Sequence, residues 1–346
     1  MRNIAYFFVV AIGTILTLIY GQSMLVQFII ASLLWFATMQ LKKTANKIPP
    51  FSRVVPEKLQ SIAVLTLLLF IVYLVLEAVI GNLSNLLASF ANYEKNVTAI
   101  AVKIETLFHI DLQAEISAML SSLDIKNILA QLATSLSSIL SNSMMILIYL
   151  LFIFLETDSF KLKISALFPE EEGRAKFIDT LLKIELSLSS YFRVKTLMSL
   201  LTGFLGFIVL SIIGVDSPIF WAFLIFLLNY IPTIGSLIAT VFPAVFSLLQ
   251  FGSFIPFIAI LLSIGAIQQI VGNLIEPKLM GKSLNISPLV TIIALAIWGK
   301  LWGVVGMLLS VPITVIMIII LSQFKSTQKV AILLSEKGNI TSDNKA

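Results

Sequence analysis

The sequence predicts an all-α, polytopic helical membrane protein. It has about eight hydrophobic segments, including two broken, re-entrant helical hairpins, and an extracytoplasmic cap of amphipathic helix. Three observations predict this. Of the 346 residues, 58% are hydrophobic and 12% charged, with a mean hydropathy of +1.03, far outside the soluble globular range. The apolar runs are long enough to cross lipid and are separated by basic loops. Two later runs are interrupted, at Pro232 to Gly235 and at Gly299 to Gly303. The net charge of +5 does not point to nucleic acid, because the lysines and arginines fall in particular loops and form no basic surface interleaved with aromatics. The absence of cysteine excludes disulfides and thiolate metal sites.

The chain begins with an apolar run from Arg2 to Tyr20, followed almost at once by Met24 to Leu41. There is no small-residue cleavage motif, so the pair reads as a retained helical hairpin turning at Gly21-Gln22 rather than a signal peptide. The loop from Lys42 to Lys58 carries Lys42, Lys43, Lys47, Arg53 and Lys58 against Glu57, and Pro49, Pro50 and Pro56 keep it from being helical. By the positive-inside rule it is cytoplasmic, as is the N-terminus. A third span, Ser61 to Ile80, crosses outward and places Glu77 about 24 Å along the helix, near the outer surface.

From Asn82 to Asn142 the chain is amphipathic but too polar to span. Val97, Ile100, Ala101, Ile104, Leu107 and Phe108 share one helical face, and Ile125, Ile128, Leu129, Leu132, Leu136 and Ile139 share another. Acidic residues outnumber basic ones, as in an extracytoplasmic cap. His109, the one histidine, has no second histidine or cysteine to share a metal.

A fourth span, Ser143 to Leu155, returns inward and ends at Glu156 and Asp158. In the charged segment that follows, Pro169 opens a helix whose first turn carries Glu170, Glu171 and Glu172. Phe177, Leu181, Ile184 and Leu188 then form the stripe of an interfacial helix. It serves as a surface organiser of the bundle or as a coupling arm between moving parts.

The rest reads as one unit written twice. The span Val194 to Ile213 precedes Ile219 to Ile231, a break at Pro232 to Gly235, and Ser236 to Leu249. The span Phe254 to Ile275 precedes Ile286 to Trp298, a break at Gly299 to Gly303, and Val304 to Leu321. The halves before the breaks are about 20 Å long, short of a hydrocarbon core of about 30 Å. They predict hairpins that enter from opposite sides and end inside the membrane, a recurring secondary-transporter design. The expected regions are therefore 1–81, 82–142, 143–193, a transport core at 194–322, and a polar cytoplasmic tail at 323–346.

The breaks predict the chemistry. Pro232 has no N–H, so carbonyls near it, such as that of Leu228, are expected to be released. Thr233 and Ser236 are placed to cap the next half-helix, and Asn229 lies one turn earlier. Gly299 and Gly303 allow a tight turn beside the ammonium of Lys300. With Gln269 and Asn273 on the preceding helix, these residues (Asn229, Pro232, Thr233, Gly235, Ser236, Gly299, Lys300 and Gly303) are the candidate binding set for a small, hydroxyl-rich solute. The competing reading is that the prolines and glycines only kink packed helices and that Lys300 reaches up to water. Glu276 stands before Pro277 at a helix end, with Lys278 and Lys282 as its natural partners. The segment Glu276, Pro277, Lys278, Gly281 and Lys282 is the candidate gate, either a structural latch or a protonatable coupling group.

Glu276-Pro277-Lys278-Leu279-Met280-Gly281-Lys282, then Ser287-Pro288-Leu289, Trp298-Gly299, Gly303, Gly306 and Val311-Pro312, resembles the C-terminal signature of the autoinducer-2 exporter family of membrane transporters. Asn229-Tyr230-Ile231-Pro232-Thr233-Ile234-Gly235 is similar to that family's other signature. Tyr191, Lys195, Thr196, Ser199, Thr202 and Gly203 resemble the branch that gives the family its name. The resemblance is dense from about Glu156 to Leu334 and only topological before that. It implies a secondary transporter that exports a small polar signalling metabolite of the autoinducer-2 type. It also implies an elevator-like movement of the hairpin-bearing half, and a homo-oligomer for which a pentamer is the suggested size. The alternatives are a sodium/proton antiporter, an activity attributed to some relatives, and a membrane scaffold without transport. No metal-ligand cluster, nucleophile with base, phosphate loop or cofactor motif appears in the sequence, which argues against an enzyme.

Overall fold

A computed structural model describes residues 2–47, 55–108, 127, 130, 131, 134, 143–280 and 285–338. Every regular element among them is helical, which is how a chain in lipid satisfies all its backbone polar groups within one segment. In order, the elements are α1 (Arg2–Tyr20), α2 (Gln22–Ala45), α3 (Glu57–Phe108), α4 (Ser143–Leu167), α5 (Glu171–Ile213), α6 (Pro218–Leu228), α7 (Ile234–Phe251) and α8 (Phe254–Gln269). A π-helical turn (Ile270–Ile275), α9 (Glu276–Met280), α10 (Pro288–Ser322) and α11 (Gln328–Leu334) follow. Six helices among the described residues are long and apolar enough to cross a membrane, and Ser143–Thr157 and Pro218–Leu228 are shorter apolar helices.

Two long helices replace elements that the sequence separates. α3 runs unbroken for 52 residues, so the expected third span and the first part of the expected cap are one rod of about 78 Å. Gly81 does not stop it, because a lone glycine lowers helix propensity without removing a hydrogen bond. The faces of the cap that carry Val97 to Phe108 have no described side chains. His109, Ile125 and most of the second cap stripe lie outside the described residues. α5 likewise joins the expected interfacial helix to the following span in 43 residues. It begins at Glu171, with Glu170 O accepting from Arg174 N–H at 3.1 Å, so Pro169 stands just before the helix rather than in its first turn. α4 continues past Glu156 to Leu167, where Glu156 pairs with Lys163.

The chain divides into two compact units: residues 1–70, 142–192 and 282–346, and residues 71–141 and 193–281. The first broken hairpin falls in the second of these units and the second hairpin in the first. In the first unit α1 and α2 turn at Gly21, and α2 packs on α4 with Phe28 edge-on to Tyr149 at 5.9 Å. Gln40 and Lys43 both reach Glu185. The exposed Lys43–Glu185 pair adds little stability. Trp302 Nε1 donates to Leu18 O at 3.1 Å, satisfying one of the carbonyls left open in the last turn of α1.

The second unit has the denser core. Val79, Leu83 and Leu86 of α3 pack with Leu210, Phe220, Trp221, Ile225, Phe246, Ile260 and Ile264. A polar cluster closes one end. Asp216 N–H donates to Gln250 Oε1 at 2.8 Å, and Gln250 Nε2 donates to Gly214 O at 2.9 Å. Asn96 Nδ2 donates to Leu249 O and Gln250 O at 2.9 and 2.8 Å, capping α7. Tyr93 donates its O–H to Asp216 at 2.5 Å and lies edge-on to Phe246. The ends of α5 and α7 are thus fastened together and to α3.

Tyr93 lies beyond the apolar stretch Leu59–Ser89. Burial first, and then the Asp216 carboxylate, raise its phenol above the ordinary value. The folded protein holds this proton more tightly than the unfolded chain, so the associated stability is complete below about pH 10 and is lost as pH rises. Tyr93→Phe is expected to cost about 1.5–3 kcal/mol at neutral pH, as a hydrogen bond to a charged group does. The wild-type advantage shrinks above about pH 10. Detergent-solubilised melting curves of both proteins across that range check this, and a constant difference at every pH contradicts it.

Candidate functional site

The first hairpin reverses between α6 and α7, and its tip is built by residues that no helix can accommodate. Ile231 N–H donates to Leu228 O at 2.9 Å, and Ile234 N–H donates to Pro232 O at 2.6 Å. Thr233, with φ 60° and ψ −59°, is the centre of that second contact, a γ-turn of the rare, strained hand. An added Cβ on Gly235 would lie 1.8 Å from Leu228 O, so the two limbs touch backbone to backbone. The Leu228 carbonyl is therefore not released, contrary to expectation: the turn at Ile231 takes its hydrogen bond. Thr233 occupies the N-cap of α7 without a side-chain cap bond. Its carbonyl accepts from the Ser236 hydroxyl at 2.9 Å instead, because the γ-turn uses the local backbone geometry that a side-chain cap requires.

This tip is held against α5. Asn229, 6% exposed, donates Nδ2–H to Ser199 Oγ at 3.0 Å, and Tyr230 Oη and Thr196 Oγ1 lie 2.7 Å apart. Lys195, Ser199 and Thr202 recur at the spacing of one helical face, and all three are buried. One turn from Ser199, Lys195 Nζ meets Glu276 Oε1 at 2.6 Å, with side chains only 8% and 14% exposed. Among the described residues Glu276 thus pairs with Lys195 rather than with Lys278. Pro277 does not end the helix at Glu276 either. The π-helical turn Ile270–Ile275 comes first, Glu276 N–H donates to Val271 O, and the wider turn lets α9 run on through Pro277 to Met280. Lys278 is exposed, and Gly281 and Lys282 lie outside the described residues.

The polar cluster at Asp216 and Gln250 joins the end of α5 to the end of α7, from which α8 starts three residues on, and Lys195–Glu276 joins α5 to the far end of the α8 segment, so α5 and α8 run antiparallel. About 28 Å of α5 separates Lys195 from Gly214, and about 33 Å at most separates Phe254 from Glu276. The ion pair and the polar cluster stand one hydrocarbon thickness apart. Asn229 and Ser199 lie between them.

Of the other candidate residues in this unit, Gln269 and Asn273 are exposed and hydrogen-bond to each other. Gln268 is 6% exposed, and its Nε2 is buried with no hydrogen-bond partner among the described residues. In the other unit the second hairpin breaks at Trp302 and Gly303, where φ/ψ of −128°/16° and 61°/−142° leave the helical region. Gly299 and Lys300 remain helical, and Lys300 is exposed. An added Cβ on Gly306 would lie 1.9 Å from Trp298 O. Each hairpin therefore closes by the same device, a glycine lodged on a carbonyl of the opposite limb. Among the described residues no group of three or more His, Asp or Glu side chains is placed to hold a metal.

The sequence profile of the AI-2E family transporter matches residues 6–326. The chain belongs to the AI-2E transporter family. AI-2E relatives include TqsA of Escherichia coli, named an AI-2 transport protein, 31% identical over 82% of each chain. A Haemophilus influenzae protein is 38% identical over 61% of each chain, and a Borreliella burgdorferi protein is 38% identical over 56% of this chain. Both are named provisionally as transport proteins. The chain spans 54% of the length of the Borreliella relative. The family is one of transporters, not enzymes, and the apolar helices make this chain a multi-pass membrane protein. The residues that the candidate set omitted (Lys195, Thr196, Ser199, Tyr230 and Gln268) carried a readable signal: polar side chains at helical spacing inside apolar spans, where burial is costly without a role.

Proposed function

We propose that this AI-2E family member exports a small polar signalling metabolite of the AI-2 kind across the cytoplasmic membrane, binding it beside the tip of the first broken hairpin. The observation that carries the reading is the polar set Lys195, Ser199 and Asn229, buried inside stretches apolar enough to lie in a membrane, with Glu276 largely covered against Lys195. Lipid anchoring alone does not call for such residues. α6, at 11 residues, is about 16 Å long, half a hydrocarbon core. Its start is tied to the end of α7 through Gln250 and Asp216. Both observations support a re-entrant first hairpin that enters and leaves at one face and carries Asn229 toward mid-depth. The basic loop after α2 supports a cytoplasmic N-terminus, and the count of crossings a cytoplasmic C-terminus; the protein is proposed to work as a homo-oligomer, with a pentamer as the assembly to test.

Asn229→Ala removes the link to Ser199 and one buried amide. AI-2 efflux from vesicles is expected to fall about tenfold, in line with one or two lost hydrogen bonds, while the purified protein keeps its size-exclusion profile. Unchanged efflux removes the binding role of the tip, and absence of AI-2 movement by wild type removes the exporter reading in favour of a scaffold. Sodium/proton antiport is the second reading. It is favoured by the depth of burial of Glu276, a carboxylate that a proton or sodium could reach when Lys195 withdraws. Sodium-dependent proton flux in the same vesicles separates the two.

A further inference from the structure

We infer that Gln268, with Ser199 and Asn229, forms the contact set for an electrically neutral solute bearing hydroxyl or carbonyl oxygens. This inference rests on the transport reading above and names the ligand chemistry. Ile260, Ile264, Gln268 and, two turns on, Glu276 follow one face of α8, the π-helical turn and α9. Ile260 and Ile264 sit in the core with α6 and α7, and Glu276 holds Lys195 of α5. Gln268 lies between these two anchors, on a face bounded at both ends by partners in its own unit. Measured from the ion pair, Gln268 is about 12 Å along its helix, and Ser199 and Thr202 are about 6 and 10 Å along α5. Because the helices are antiparallel, the three stand at neighbouring depths.

Gln268 differs from Asn229, Ser199, Thr202 and Thr240 in that its donor nitrogen makes no hydrogen bond at all among the described residues. Asn229 Nδ2 donates to Ser199. The Thr202 hydroxyl is spent on the carbonyls of Met198 and Ser199. Thr240 likewise bonds Ser236 O. Gln268 Nε2 is buried with no partner among the described residues, a state that native proteins rarely keep without a ligand or water. An amide donor matches an oxygen acceptor. The charges nearby, Lys195 and Glu276, cancel each other, so the place offers no net attraction to an ion.

The test is thermal unfolding of the detergent-solubilised protein with AI-2, D-ribose or erythritol, against sodium lactate and sodium chloride. The neutral solutes are expected to raise the wild-type melting temperature by about 2–5 °C at saturation. Gln268→Met, which keeps shape and loses the donor, is expected to need about tenfold more solute for the same rise, and Ser199→Ala to behave alike. The inference is overturned if no neutral solute stabilises wild type, if only the salts do, or if Gln268→Met responds as wild type does. Binding without AI-2 efflux by wild type sinks only the transport reading. Efflux by Gln268→Met with unchanged half-saturation sinks only this one.

Discussion

Gly235→Ala is expected to abolish solute movement and to destabilise the protein by more than the 1–3 kcal/mol typical of an overpacked core. Gly306→Ala is expected to do the same. The new methyl carbon would stand 1.8 Å from Leu228 O in the first case and 1.9 Å from Trp298 O in the second, inside any possible contact distance. The obstacle is backbone, which cannot rotate away as a flexible side chain can. Relief requires parting the limbs of the hairpin, and that breaks the turn holding Asn229 against Ser199. Gly81→Ala is the control, since nothing lies within 4 Å of its added Cβ. There the change is expected to be neutral or to stabilise by up to about 1 kcal/mol. Melting temperatures and AI-2 efflux of the three variants decide it, and a wild-type melting curve for Gly235→Ala would contradict the hairpin geometry itself.

Glu276→Leu and Lys195→Met are expected to cost about 3–5 kcal/mol each, because each leaves the opposite charge buried alone. The double variant Lys195→Met/Glu276→Leu is expected to recover most of that loss, since an apolar pair of similar volume avoids the desolvation of both ions. Stability and function then separate. A pair that serves only as a latch leaves the double variant active, whereas a carboxylate that couples export to an ion leaves it stable and inactive. A double-mutant cycle by chemical unfolding, run beside vesicle flux, reads both. Additive losses in the cycle would show that the two side chains do not depend on each other.

Much of the fold was legible because lipid imposes simple rules. Apolar runs of spanning length, the basic loop from Lys42 to Lys58 and the interruptions at Pro232 and Gly299 to Gly303 depend only on local composition, and hydrocarbon punishes every exception. The places where the structure departs from the reading are matters of continuity. Gly81 and Arg193 look like boundaries, yet α3 and α5 pass through them, because each residue keeps its hydrogen bond in the helix. Pro277 looks like a stop, and the π-helical turn before it absorbs the missing donor.

The site was less legible. Asn229 was apparent from its place beside the break. Gln269 and Asn273 attracted attention as amides in an apolar helix, although Gln268, beside them, is the one that faces inward. A rotation of 100° per residue decides between them, and the direction of that rotation is known only once a neighbouring helix is in place. Lys195 and Glu276 are far apart in the chain. Each looks unpaired in its own segment, and the nearby Lys278 looks the better partner until the fold is closed.

Composition and periodicity by themselves determined that this chain lives in a membrane, where it crosses and where it breaks, since each depends on the transfer of short stretches out of water. Tertiary structure alone decided which amide is buried, which lysine neutralises Glu276 and why Gly235 and Gly306 must have no side chain. Those outcomes depend on contacts between segments distant in sequence, and only packing in three dimensions selects among the partners that the residues themselves allow.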